Sequence, residues 1–140
     1  MWWETGAQAQ QYMSSGSVDY ISVWNSRMYD IRKKGASVAV EWNQNLQTAD
    51  FVVVPKGSPN KKLAMDLIAH IVSPEAQADF ARRNTNAPTN RKALELVTGE
   101  AADFLSTSEE HRKVGISIDD DFWAGAIDGV QAKWQAWLVA

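Results

Sequence analysis

The hydrophobic pattern changes period several times along the chain, and each change predicts an element. Residues 2 to 13 carry helix formers, among them Ala7, Gln8, Ala9, Gln10, Gln11 and Met13, and Ser14-Ser15-Gly16 stops them. From Val18 to Trp24 the apolar positions fall at 18, 20, 21, 23 and 24, which predicts a strand with an inner face. Asn25 can cap a second helix that runs through Met28 and Ile31 to Lys34. Lys33 and Lys34 stand at its negative end, and Gly35 offers a left-handed residue after it. Val38, Val40 and Trp42 alternate with Ala39 and Glu41, which predicts another strand. Phe51-Val52-Val53-Val54 is an unbroken, mostly β-branched run ended by Pro55 and Gly57. A run without alternation predicts a short strand covered on both faces.

The second half is helical in period. Ser58 and Pro59 read as cap and first residue of a helix whose stripe is Leu63, Leu67, Ile68, Ile71 and Val72. Ser73-Pro74-Glu75 repeats the start signal for a helix through Ala76, Phe80 and Ala81. Ala87-Pro88-Thr89-Asn90 is a turn, followed by two short helical stretches near 91–97 and 99–104. Thr107 and Glu110 have capping-box spacing. From Asp119 a long helix places Phe122, Trp123, Ala126, Ile127, Val130, Trp134 and Trp137 on one face, with Asp119, Asp120 and Asp121 at its positive end. Helices between strands predict an α/β fold with a short parallel or mixed sheet flanked by many helices. Three strands are few for so many helices, so the sheet reads as incomplete.

Composition narrows the function classes. With 140 residues the chain suits one domain with a modest core. A net charge of −3 and the lack of a basic run argue against a nucleic-acid surface. No apolar run is long enough to span a bilayer, and Met1-Trp2-Trp3-Glu4 is not the opening of a secretory signal. The absence of cysteine removes thiolate metal sites and thiol redox chemistry. His70 and His111 have no partner at metal spacing, and His111 falls in a charged run that reads as solvated. Ser58-Pro59-Asn60-Lys61 matches S-x-x-K, but the helix-cap reading explains it and no partner motif follows. No glycine-rich phosphate loop is present. Neither a cofactor, a metal nor an enzymatic activity is expected.

The remaining candidate chemistry is binding. Trp24 ends one predicted strand and Asp50 stands at the mouth of another. If these strands are neighbours, an indole face and a carboxylate meet at a sheet edge. That pair suits a cationic amine through a charge-assisted hydrogen bond and a cation–π contact worth about 1–2 kcal/mol when desolvated. Each residue also has a plainer reading: Trp24 as a core tryptophan, Asp50 as a turn aspartate.

Several pieces, in order and spacing, resemble the C-terminal part of the periplasmic solute-binding proteins of ABC transporters, in their spermidine/putrescine-binding branch. They are Trp2-Trp3-Glu4-Thr5-Gly6-Ala7-Gln8, Trp24-Asn25-Ser26-Arg27, Lys34-Gly35-Ala36, Asp50 through Gly57, Asn60 through Met65, Ser73-Pro74-Glu75-Ala76-Gln77, Pro88-Thr89-Asn90 and the closing tryptophan-rich helix. The resemblance implies a type II periplasmic-binding-protein fold, incomplete here because the family is more than twice this long. It implies two lobes that close on a solute, with residues 1–47 in one lobe, 48–90 crossing into the other and 91–140 returning to the first. It implies an amine-bearing solute such as a polyamine, delivered to a membrane permease, in a periplasmic or extracellular setting. Asp50 then falls at a hinge crossing where the family places a carboxylate for an amine, and Trp24 at a cleft wall. Asn25 shapes the cleft, and Thr5 or Gly6 lies near a position that offers a hydroxyl.

Two positions depart from the polyamine pattern. Thr48 stands where an aromatic precedes the hinge carboxylate, and Asn86 where a tyrosine precedes the proline turn. A smaller or more polar amine is therefore as consistent as a long aliphatic one. A chain holding part of the cleft is expected to leave sheet edges and apolar faces open and to cover them by self-association or segment exchange. It is also expected to bind no solute tightly by itself. Outside this family, an effector-sensing domain of a regulator and a helical interaction module both remain open.

Overall fold

Local signals set most of the helix boundaries in the computed structural model, which describes all 140 residues. Eight helices and two short strands follow one another along the chain. Helix α1 (Gly6–Ser14) starts where the Thr5 hydroxyl accepts the Gln8 N–H, and Gly16 follows it with φ of 68°. Helix α2 (Asn25–Lys33) carries Arg32 and Lys33 in its last turn, and Gly35 is left-handed, with φ of 92°. After strand β1 (Leu46–Gln47) come α3 (Lys61–Ile71) and α4 (Pro74–Asn84). The Ser73 side chain caps α4, Pro74 takes its first turn, and Thr85 ends it at φ of 53°. Helices α5 (Arg91–Leu94), α6 (Glu100–Asp103) and α7 (Glu109–Lys113) are short. Strand β2 (Ile116–Ser117) precedes α8 (Asp120–Leu138), whose first turn is capped by the Asp119 carboxylate accepting the Phe122 N–H at 2.9 Å.

Some starts differ from the sequence reading. Helix α3 begins at Lys61, not Pro59: the Ser58 N–H closes a turn on Pro55 O, and Gly57 is left-handed, so the chain is still turning there. Ser108, not Thr107, caps α7; the Thr107 hydroxyl instead donates to Pro88 O at 3.2 Å. His111 is not solvated. It is buried, its Nδ1 lies 2.9 Å from Leu105 O, and its ring stacks on Trp42 at 3.8 Å.

The sheet is where pattern and structure part most. Its single ladder is parallel and pairs Leu46 with Ile116 and Gln47 with Ser117. None of the segments 18–24, 38–42 and 51–54 joins a ladder. The alternation at 38–42 is nonetheless real: Val38 and Val40 turn inward against the core, while Ala39 and Glu41 face water. The run at 51–54 is not covered on both faces. Phe51 and Val53 are each 75% exposed. A strand needs a neighbour for its amides and carbonyls, and those of residues 51–54 bond to no other segment. The expected α/β layering, a short parallel sheet among many helices ending in a long one, is what forms.

The core lies between α2, α4, α5 and α6, built around Met28, Tyr29, Ala81, Val97, Phe104 and Leu105. Alanines at 78, 81 and 93 are fully buried, which lets these helices approach closely. Helices α3 and α8 bury no residue at all, although both carry apolar stripes. Helix α8 is met by the N-terminus instead, where Trp2 stands edge-on to Trp134 at 4.5 Å and to Trp137 at 5.5 Å. A folded monomer of this mass exposes about 7,200 Å² on the usual scaling. This chain exposes 10660 Å². Much apolar surface therefore stays in water.

Candidate functional site

The first turn of α2 gathers most of the candidate side chains. Trp24 lies just outside the helix, 58% exposed, its ring 5.2 Å from Trp3 in an edge-on contact. The Trp3 indole N–H donates to Ser22 O at 2.9 Å, which ties the chain entering α2 to the start of α1. Three residues after Trp24, the Arg27 N–H donates to Trp24 O at 2.9 Å. Gln10 bridges the two helices, its amide donating to Arg27 O at 3.1 Å and to an Asp30 carboxylate oxygen at 3.4 Å.

A cavity of about 240 Å³ opens between α2 and the end of α4, lined by Ser26, Arg27, Asp30, Phe80, Asn84 and Asn86. All but Phe80 are polar or charged. The Arg27 guanidinium makes no ion pair and no hydrogen bond within the chain, although Arg32, Arg82 and Arg83 all do one or the other. It lies against Gly6, in the space a side chain at that position would fill. A half-buried guanidinium without a partner has its donors free for a carboxylate or another planar anion.

The sequence-derived residues fall into three groups. Asn86 lines the cavity with Arg27, Thr5 caps α1 next to the Gly6 against which Arg27 lies, and Trp24 stands just before α2, outside the cavity lining. Asn25 turns the other way. It does not cap α2; its amide donates to Thr85 O at 3.0 Å and to Phe104 O at 2.6 Å. Those bonds hold the left-handed residue between Asn84 and Asn86, and so fix the cavity's far rim. Thr48 and Asp50 stand exposed on the segment leaving β1 and do not line the cavity. The Asp50 carboxylate accepts no hydrogen bond and forms no ion pair within the chain, so it is not held by the protein's own amides.

Arg27, which lines the cavity, is not among the candidate residues the sequence singled out. The signal for it is the spacing Trp24-x-x-Arg27, one helical turn. What the sequence could not show is that the guanidinium makes no ion pair, even with Asp30, which lines the same cavity.

The family model described as bacterial extracellular solute-binding protein matches residues 1–107. A gamma-aminobutyric acid-binding protein of Pseudomonas aeruginosa is 29% identical over 136 residues, 97% of this chain and 39% of the relative. The solved structure of a GABA receptor superposes with a TM-score of 0.88 at 37% identity, over 98% of this chain and 42% of that one. An ABC transporter substrate-binding protein of Bradyrhizobium japonicum gives 0.87 at 28% identity, over 96% of this chain and 43% of that one. The chain thus spans about two fifths of the length of the relatives it matches.

Proposed function

The chain belongs to the bacterial extracellular solute-binding protein family, and from that premise we propose that it forms part of the cleft of an ABC-transporter receptor for a short ω-amino acid of the GABA type. Proteins of this kind bind solutes and are not enzymes. The observation that carries the reading is the unpaired Arg27 guanidinium in the cavity. A polyamine carries amines at both ends and would be repelled there. An ω-amino acid has one end for each charged group: its carboxylate for Arg27 in the cavity and its ammonium for Asp50, which stands exposed outside it. Both contacts are charge-assisted hydrogen bonds, each worth about 1.5–3 kcal/mol. Trp24 supplies an apolar and cation–π wall for the methylenes and the ammonium. Thr48 and Asn86, in place of aromatic walls, suit a short polar solute, and Thr5 fixes the α1 end of the cleft. A cavity of about 240 Å³ is small beside those of drug-sized ligands, which fits a solute of few heavy atoms.

In the same reading residues 1–47 belong to one lobe, 48–90 cross into a second and 91–140 return. The receptor works outside the cytoplasmic membrane and hands its solute to a permease. With two fifths of a family member's length, this chain offers one side of the cleft, so its own affinity is weak, about −4 to −5 kcal/mol or millimolar to high micromolar. Nuclear magnetic resonance titration of the 15N-labelled chain tests this. GABA is expected to shift the Trp24 indole N–H and the Arg27 Nε–H, and putrescine to leave the Arg27 signal in place. Equal response to both solutes, or none to GABA at 20-fold the expected dissociation constant, overturns the assignment.

A further inference from the structure

We infer that Gly6 sets where the Arg27 guanidinium stands, and thereby the preference of this cavity for solutes bearing a carboxylate; the inference rests on the function proposed above. A Cβ built on Gly6 would lie 2.6 Å from Arg27 Nε, 3.2 Å from its Cζ and 3.3 Å from Nη2. A methyl carbon does not approach a nitrogen as closely as the first of these. Gly6 is buried as the first residue of α1, and it is not among the glycines of positive φ. Its backbone therefore does not demand glycine. Alanine would serve the helix better. What glycine supplies here is the empty volume that the guanidinium occupies.

The group that would have to give way is the far end of a flexible side chain, not a backbone. A methyl at position 6 would therefore displace the guanidinium at little expense to the fold. Two parallel hydrogen bonds to a carboxylate do not tolerate a shift approaching 1 Å. Stability and recognition are thus separable at this position. Gly6 is a positioning residue: it acts through Arg27 and does not touch the solute itself.

The test pairs GABA with n-butylamine, which keeps the ammonium and the methylenes but lacks the carboxylate, in resonance titrations of the wild type, Gly6→Ala, Arg27→Gln and the double variant. Gly6→Ala is expected to weaken GABA binding about tenfold, to leave butylamine within about twofold, and to keep or raise thermal stability. In the double variant the loss is expected to equal that of Arg27→Gln alone, because the glycine acts only through the arginine. A nuclear Overhauser contact between Gly6 Hα and the Arg27 Nε–H is expected in the wild type. If Gly6→Ala lowers both solutes alike, or leaves GABA unchanged while Arg27→Gln abolishes its binding, the role of Gly6 falls and the solute assignment stands. If Arg27→Gln leaves GABA binding intact, both fall together.

Discussion

Replacing Asn25 separates two accounts of the same residue. Read along the sequence, Asn25 is a helix cap. In the structure its side-chain amide donates both hydrogens elsewhere, to Thr85 O at 3.0 Å and to Phe104 O at 2.6 Å. Both acceptor residues are buried. Asn25→Ala orphans the two carbonyls, at about 1–2 kcal/mol each, and regains roughly 0.5 kcal/mol of helix propensity. The net loss is about 1.5–3.5 kcal/mol, or a fall in Tm of roughly 5–12 °C for a chain of this size. Asn25→Asp is the discriminating variant. Aspartate caps a helix as well as asparagine and gains about 0.3–1 kcal/mol from the helix dipole. A capping role therefore predicts that it matches or exceeds the wild type. The bridging role predicts the opposite, since a carboxylate donates nothing and faces two carbonyl oxygens; Asn25→Asp should fall below Asn25→Ala. Urea unfolding followed by circular dichroism, with the slope m held constant, measures the order. An aspartate variant as stable as the wild type refutes the bridging argument.

Other expectations follow from the burial pattern. Exposed surface exceeds the monomer scaling by about 3,400 Å², in the range that obligate interfaces bury, so the chain is expected to self-associate. Light scattering on a sizing column should give a mass above 15.6 kDa, and a monomer mass contradicts this. Val53→Lys, at a position 75% exposed, should leave the melting of the isolated fold within about 0.5 kcal/mol while lowering the associated mass. Ala81→Leu, at a fully buried position in the core, should cost about 1–3 kcal/mol by overpacking; an unchanged urea midpoint would show the helix contact to be looser than the structure has it.

Local chemistry explains what was legible in the residues. Ser73 with Pro74, Asp119 with its two following aspartates, and Gly35 act within one helical turn, so sequence spacing alone fixes those helix ends. The alternation at Val38, Val40 and Trp42 reported a true inward face, because side chains alternate along any extended chain whether or not it is paired. The order and spacing of Trp24, Arg27, Asp50 and the proline turns carried the family.

Contacts between distant segments were beyond that reach. Whether Phe51 to Val54 is a covered strand depends on a neighbour, and hydrophobicity measures the need for one without supplying it. Whether Asn25 caps a helix or bridges Thr85 and Phe104 depends on chain 60 and 79 residues away arriving at its amide. Whether Arg27 is a spare surface charge or a receptor depends on the absence of a side chain at Gly6 and on its making no ion pair with Asp30 across the same cavity. Sequence periodicity encodes which way a side chain faces relative to its own backbone, whereas hydrogen-bond and charge partners are fixed by where the rest of the chain comes to lie.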